Sequence, residues 1–170
     1  MLIRAVTAKD FPALDSLIAA AFDSTAFGYQ GEADLVRSLH NDGDALVSLV
    51  AEEDGRIIGH AMFSRMRVEA DGTALCAAGL APVAVLPDSH SQGIGSTLIR
   101  QGLIDLCEQG VQISFVLGHP AYYPRFGYRA EHAQPFASPY AGSHFMALWL
   151  DKSVKAPESG RADYASAFSV

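Results

Sequence analysis

Two hydrophobic periods alternate along this chain, and the change from one to the other predicts where helices and strands lie. Leu2, Arg4 and Val6 alternate with Ile3 and Ala5, as the two faces of a short strand do, and the run stops at Thr7, a good helix N-cap. Two amphipathic helices are predicted next, because apolar residues then recur three and four positions apart. The first spans Phe11 to Ala21, and the second spans residues 32–40.

The segment from Ala45 to Val85 predicts three strands joined by two tight turns. Its apolar stretches are LVSLVAEE, IIGHAMFSRMRVEA and ALCAAGLAPVAV, and Asp-Gly pairs at residues 54–55 and 71–72 separate them. Asp-Gly between two strand-like runs is a strong hairpin signal, because both residues tolerate the positive φ of the turn. These strands are therefore expected to pair in antiparallel fashion.

The helical period returns after these strands and is followed by another strand. Residues 92–110 carry one apolar stripe that includes Ile94, Leu98 and Leu106, and residues 111–117 are rich in strand formers. Strand, helix and strand in this order predict a β-α-β unit with parallel pairing. A short helix that ends near Gly127 and a last strand, FMALWL, complete an α/β fold with a mixed central sheet and helices on both faces.

The length predicts one domain, residues 1–150, followed by a C-terminal tail, residues 151–170. A chain of 170 residues with 49% hydrophobic and 18% charged residues has the size and composition of a single globular domain. The tail is polar and rich in small residues, and Tyr164 and Phe168 are its candidate anchors.

Charge and cysteine content narrow the classes of partner. The net charge of −7 argues against nucleic acid and anionic membranes, which need clustered Lys and Arg, and favours a cationic substrate. Cys76 and Cys107 form neither a metal-binding pattern nor a disulfide framework, so no metal site is expected. We expect a cytoplasmic protein, since the N-terminus has no signal-peptide pattern and no apolar run reaches the roughly 20 residues of a membrane helix.

The junction between the strand GLAPVAV and the following helix carries the candidate chemistry. A helix start offers backbone N–H groups without intrahelical partners and a partial positive charge, and together these bind phosphate. Gly93 and Gly95 let an anion approach the main chain, and Gln92, Ile94 and Ser96 add N–H donors beside them. A packing role for the two glycines is the alternative interpretation.

Two other phosphate motifs do not fit this turn. A dinucleotide fingerprint needs a third glycine where Leu98 stands, and no Gly-Lys-Ser/Thr of a P-loop occurs. The remaining pattern is the acetyl-CoA turn, which consists of Gln or Arg, two residues, Gly, one residue and Gly. In this chain it runs from His90 through Ser91 to Gly95.

With the motifs GLAPVAVLPDSHSQGIGSTLI and VLGHPAYYPRFGY, the chain from Leu2 to Leu150 resembles the GNAT N-acetyltransferase superfamily, in its YhbS-like branch. The resemblance implies the GNAT acyltransferase fold, acetyl-CoA as co-substrate and direct acetyl transfer to a primary amine of an unidentified acceptor. It also allows a homodimer. His90 departs from the usual Gln or Arg, a change expected to tune affinity, because main-chain donors hold most of the phosphate.

The resemblance also implies which residues contact acetyl-CoA. Pantetheine pairs with the backbone of Val83, Ala84 and Val85, and the pyrophosphate lies on residues 91–96. The Val83 N–H takes the position of the donor to the thioester oxygen. In that family a tyrosine four residues before a Gly-aromatic pair protonates the departing thiolate, and Tyr123 has this spacing.

The remaining roles stay open. His119 and Glu32 are the main candidates for the base that takes the proton of the amine, His60 is a third, and each also has an ordinary structural explanation. Arg125 is either a surface residue or a contact to a CoA phosphate. Residues 27–29 and 135–144 are expected to flank the acceptor groove. A domain that senses acyl-CoA without turnover, a hydroxyl acceptor and a longer acyl group are the alternatives.

Overall fold

The computed structural model describes residues 1–169. The predicted helices and strands follow one another in the predicted order, and one short helix and two short strands are present in addition. Within that range the strands are β1 (Leu2–Ala5), β2 (Ala45–Glu53), β3 (Arg56–Ala70), β4 (Thr73–Val85), β5 (Ile113–Leu117), β6 (Phe136–Ala137), β7 (Phe145–Trp149) and β8 (Gly160–Asp163). The α-helices are α1 (Phe11–Asp23), α2 (Glu32–Asn41), α3 (Ile94–Glu108) and α4 (Ala130–Ala133). The three strands predicted between residues 45 and 85 are confirmed.

The chain forms two compact units. The first consists of Met1–Phe63 and Ala81–Ile104, and the second of Ser64–Leu80 and Asp105–Val170. Strands β3 and β4 and helix α3 each contribute residues to both units. The predicted single domain of residues 1–150 stays a prediction.

In the first unit, β1 pairs antiparallel with β2, and β2 is the neighbour of β3. Thr7 caps a short 3₁₀ turn, Ala8–Asp10, so α1 begins only at Phe11. The turn is held because the buried Asp10 carboxylate accepts hydrogen bonds from the Thr7 N–H at 2.7 Å and from the Arg4 guanidinium at 2.8 and 2.9 Å. The inner faces of the two helices are fully buried at Leu14, Leu17, Ile18, Val36 and Leu39.

In the second unit, the sheet order is β3-β4-β5-β7, and it mixes parallel and antiparallel pairs. β5 pairs parallel with β4 and antiparallel with β7, which confirms the predicted mixed sheet of an α/β fold. The core of this unit is aromatic. Phe115 stacks on Phe145 with ring centroids 5.3 Å apart and meets Phe136 edge-on at 5.2 Å.

The C-terminal segment contributes strand β8 to the second unit. Gly160–Asp163 pairs antiparallel with residues 67–70 of β3, and Ala162 is fully buried. The Asp71 carboxylate accepts hydrogen bonds from the N–H groups of Glu158 and Ser159 and so anchors the chain before β8. Composition suggested a polar tail here because only one residue of this short strand is apolar and buried. None of the helices within residues 1–169 is long and apolar enough to span a membrane.

Candidate active site

The parallel pairing of β4 with β5 stops partway along β4. The paired positions run from Ala77–Ile113 to Leu80–Val116, whereas β4 continues to Val85. Pro82 lies in this extension and has no N–H to donate, and proline within a strand usually marks an edge or a bulge. The backbone predicted to meet pantetheine, residues 83–85, therefore lies beyond the last residue of β4 that pairs with β5.

The loop after β4 changes direction through two residues with left-handed backbone. After a 3₁₀ turn, Pro87–Ser89, Ser91 has a φ of 62° and Gly93 a φ of 77°. A Cβ atom on Gly93 would have no neighbouring atom within 4 Å. The main chain at Gly93 is thus open to an approaching group, as a phosphate-binding turn requires.

Helix α3 begins directly after this loop, two residues later than the sequence predicts. The Thr97 N–H makes the first helical hydrogen bond, 3.0 Å long, to the Gly93 carbonyl oxygen, and the Thr97 hydroxyl donates to the same oxygen. The N–H groups of Ile94 and Gly95 precede that bond, so they belong to the part of a helix that lacks intrahelical acceptors. This helix end can bind an anion.

Gly59 of β3 fixes the position of the helix start. A Cβ atom on Gly59 would lie 2.8 Å from Ile94 Cγ2 and 3.0 Å from Leu98 Cδ1, so the first turn of α3 packs directly on the strand backbone. His90 holds the other side of the turn. Its Nε2–H, in the tautomer that a carbonyl acceptor requires, donates to the Val85 carbonyl oxygen at 3.0 Å.

Tyr123 opens a 3₁₀ helix, Tyr123–Phe126, that ends at Gly127 as the sequence predicts. A Cβ atom on Gly118, the residue after β5, would lie 2.3 Å from Tyr123 Cε2, so the ring lies directly against the Gly118 backbone. The rings of Tyr122, Tyr128 and Phe126 also lie near it, at centroid distances of 5.0, 6.1 and 6.3 Å. The buried Tyr128 hydroxyl is hydrogen-bonded to the Ser114 hydroxyl at 2.8 Å.

The Tyr123 hydroxyl differs from the Tyr128 hydroxyl in its hydrogen bonding. Burial, and secondarily the adjacent Tyr122, raises the pKa of Tyr123 to about 12, so the group stays protonated at neutral pH. Within residues 1–169 it makes no hydrogen bond. Tyr122 instead stacks under the Arg125 guanidinium at 4.3 Å, and Arg125 Nε donates to the Tyr122 carbonyl oxygen. Arg125 is exposed, and both roles considered for it stay predictions.

The three candidate bases have very different surroundings. His119 is exposed and lies next to Tyr123, because its carbonyl oxygen accepts the Tyr123 N–H at 3.3 Å. Glu32 is the first residue of α2, and its carboxylate accepts a hydrogen bond from the Gln30 N–H at 2.8 Å. His60 is fully buried in the first unit, and burial, with a smaller effect of His40, lowers its pKa to about 3.

The described part of the chain thus brings together two groups of predicted site residues. The cofactor-binding residues of the turn are adjacent to one another in the first unit, and Tyr123 and His119 are adjacent in the second. Sequence reasoning missed Gly118, although a glycine between a buried strand and the tyrosine motif is a usable signal. Across residues 1–169, no cluster of three or more His, Cys, Asp or Glu side chains could hold a metal ion.

Comparison with known protein families gives one match that covers most of the chain. The model of the acetyltransferase (GNAT) domain matches residues 2–130, which include both the turn and Tyr123. Two relatives come from Escherichia coli K12. The uncharacterized N-acetyltransferase YjhQ is 37% identical over 139 residues, 79% of this chain and 76% of YjhQ. The uncharacterized N-acetyltransferase YhbS is 40% identical over 129 residues, 75% of this chain and 73% of YhbS.

Two solved structures are similar over nearly the whole chain. The crystal structure of YhbS from E. coli in complex with CoA has a TM-score of 0.85 and 34% identity, and the match covers 99% of this chain and 92% of that one. A GNAT family acetyltransferase from Brucella melitensis in complex with acetyl-CoA has a TM-score of 0.80 and 33% identity, over 98% and 97% of the two chains.

Proposed function

This chain belongs to the GNAT family and is an acetyl-CoA-dependent N-acetyltransferase, and from that premise we propose a role for each residue of its site. The turn of residues 91–96 holds the pyrophosphate of acetyl-CoA, and the backbone of Val83, Ala84 and Val85 contacts pantetheine. The left-handed Gly93 at an open helix start supports this role. The ligands of the two similar structures, CoA and acetyl-CoA, support it as well.

Tyr123 is the general acid in this proposal. Bound acetyl-CoA supplies the acetyl group as a thioester, and the departing sulfur gains from a nearby donor. A pKa raised to about 12 keeps the proton on the Tyr123 hydroxyl at neutral pH. The hydroxyl donates a hydrogen bond to the sulfur that strengthens as the C–S bond breaks, and its proton then passes to the departing thiolate. The Val83 N–H donates a hydrogen bond to the carbonyl oxygen of the thioester, which also gains negative charge during the reaction.

His119 is the base that we favour. It is exposed and adjacent to Tyr123, so it can pass the proton of the amine to solvent. Glu32 remains the alternative, although its carboxylate already accepts a hydrogen bond from the Gln30 N–H. The two are distinguished by comparing the kcat/KM of His119→Gln with that of Glu32→Gln, since only loss of the base lowers it strongly.

The acceptor is a primary amine, and the chain works in the cytoplasm. A negatively charged protein suits a cationic acceptor, and two exposed cysteines without a disulfide suit a reducing compartment. Sedimentation equilibrium of the full chain tests whether it forms the homodimer that the resemblance allows.

The central experiment measures CoA thiol release from acetyl-CoA with a panel of primary amines. We expect Tyr123→Phe to lower kcat by about 100-fold while the Kd of CoA stays unchanged, because the hydroxyl acts on the leaving group and the ring still packs on Gly118. Tyr122→Phe is the matched control and keeps kcat within about threefold of the original. Equal turnover by Tyr123→Phe would refute the assignment. A protein that binds acetyl-CoA but releases no thiol with any amine is an acyl-CoA sensor instead.

A further inference from the structure

The C-terminal segment carries a tyrosine, Tyr164, that belongs to an aromatic cluster in the second unit. Its ring lies 5.4 Å from Tyr140, 6.5 Å from Phe145 and 5.0 Å from Phe168, measured between centroids. Within this cluster Phe145 is buried, whereas Tyr140 is 40% exposed. Tyr140 comes from the segment of residues 135–144 that the sequence places beside the acceptor groove.

Tyr164 packs on the backbone of β4 in the same way that Tyr123 packs on the residue after β5. A Cβ atom on Gly79 would lie 2.6 Å from Tyr164 Cε1, and one on Gly118 would lie 2.3 Å from Tyr123 Cε2. Gly79 is one residue before Leu80, where the pairing of β4 with β5 ends. Both tyrosines are therefore held at the point where these two strands stop pairing.

The two tyrosines lie on opposite faces of the sheet at that point. Gly79 is paired with Phe115, and successive residues of β5 alternate between the faces, so Gly118 is on the other face. Ring contacts agree with this assignment. Phe115 stacks on Phe145, which contacts Tyr164. Tyr123 instead contacts Tyr128, whose hydroxyl is bound to Ser114.

The Tyr164 hydroxyl has no hydrogen-bond partner in the part of the chain that the structure describes. Burial raises the pKa of Tyr164, and charges on Tyr140 and Tyr123 raise it further. The Tyr123 and Tyr164 hydroxyls are thus within electrostatic range of each other. Neither hydroxyl oxygen is among the buried side-chain atoms of residues 1–169 that lack a partner, so each is open to solvent or to a ligand.

We propose that Tyr164 positions the acceptor amine and that the acceptor is a primary amine on an apolar stem. The inference rests on the proposed function, since it takes Tyr123 as the residue on the thiol side. The amine nitrogen forms a bond to the acyl carbon and the C–S bond to CoA breaks, so the nitrogen and the sulfur occupy different positions around that carbon. The two tyrosines lie on different faces of the sheet and can serve one atom each. The Tyr164 hydroxyl accepts a hydrogen bond from the amine nitrogen, and the rings of Tyr164, Tyr140 and Phe168 contact the stem.

The test compares Tyr164→Phe with the original chain, using benzylamine as the acceptor in the thiol-release assay. We expect the KM of benzylamine to rise about tenfold while the KM of acetyl-CoA and the Kd of CoA are unchanged. Ser166→Ala, which removes an exposed hydroxyl from the same segment, is the control and leaves the KM of benzylamine unchanged. Because Phe retains the ring on Gly79, a purely structural role predicts no change in the KM of the amine.

The outcomes separate this inference from the function on which it rests. If the original chain acetylates benzylamine and Tyr164→Phe has the same KM for it, the inference is wrong and the function stands. If no amine gives thiol release, the proposed function fails, and benzylamine is titrated into the CoA-loaded protein with NMR detection. Weaker binding by Tyr164→Phe then supports the positioning role. Equal binding, or none by the original chain, overturns it.

Discussion

At the scale of single residues, Gly118 determines where the hydroxyl of Tyr123 lies. The ring of Tyr123 occupies the space in which any side chain at position 118 would begin. A rigid contact of this kind holds the hydroxyl in one position without a hydrogen bond. Small displacements matter for such a group, because the contribution of a catalytic donor depends steeply on its geometry.

Gly118→Ala is therefore expected to reduce turnover without weakening cofactor binding. The added methyl group pushes the Tyr123 ring away, and we expect kcat to fall about tenfold or more while the Kd of CoA stays unchanged. Steady-state thiol release and calorimetric CoA binding measure the two effects. In a Tyr123→Ala background the same change has no further effect on kcat if the contact is its cause. An additional loss there would contradict this explanation.

His60 gives a prediction for pH and stability. Burial keeps it neutral in the folded chain, with a pKa of about 3, whereas an unfolded histidine has a pKa near 6.5. Between these values the unfolded chain binds one more proton, so acid reduces the free energy of unfolding. Between pH 7 and pH 5 the free energy of unfolding of the original chain should fall by about 2 kcal/mol more than that of His60→Gln. Urea denaturation of both proteins measures the difference.

His60→Gln is a suitable comparison because Gln can still bond to the Ser48 hydroxyl, which lies 3.1 Å from His60 Nε2. His40, whose pKa is also lowered by burial, is present in both proteins. If the free energy of unfolding falls equally with pH in the two proteins, His60 is not the cause of the acid sensitivity.

At the scale of elements, the loop between β4 and α3 combines several local features at the proposed pyrophosphate site. The Gly93 φ of 77° turns the chain, Gly59 brings the helix start onto β3, and His90 ties the loop to Val85. None of these features binds phosphate alone. Together they hold the N–H groups of the first helical turn in place before a ligand arrives.

Gly93→Glu is expected to lower the affinity for CoA at least 10-fold, because it places bulk and negative charge where the pyrophosphate is proposed to bind. Gly43→Glu is the matched control. Gly43 also has a left-handed φ, 75°, and open space around it, but it lies in the turn between α2 and β2. Isothermal titration with CoA measures both. If Gly93→Glu binds CoA as tightly as the original chain, the proposed pyrophosphate site is wrong.

At the scale of the whole molecule, continuous elements join the two compact units. β3, β4 and α3 each give residues to both, so unfolding one unit disrupts elements of the other. Trp149, the one tryptophan of the chain, is in β7 of the second unit and packs against Phe136 at 6.2 Å. Its fluorescence therefore monitors that unit, while circular dichroism monitors all helices and strands.

We expect the two signals to follow a single transition in urea. CoA at 100 times its Kd should stabilise the folded chain by about 2.7 kcal/mol and shift both signals equally, although the proposed pyrophosphate turn is in the first unit. Two separate transitions, or a shift of the circular dichroism signal alone, would show that the units unfold independently. That result would also contradict the predicted single domain.

The sequence by itself determined most of the order of helices and strands, the glycine-containing turn before α3 and the spacing on which the proposal of Tyr123 over Tyr122 rests. These features depend on residues a few positions apart, because hydrophobic period, Asp-Gly turns and helix starts are local properties. The element boundaries were less accurate, since a 3₁₀ turn precedes α1 and α3 begins at Ile94.

Only the tertiary structure decided which distant segments meet. Composition alone gave no sign that β8 joins the sheet, that Tyr164 lies on Gly79, or that the pairing of β4 with β5 ends at Leu80. It also decided that His60 is fully buried. Such facts depend on strand register and packing, which arise from the balance of contacts over the whole chain and not from any local pattern.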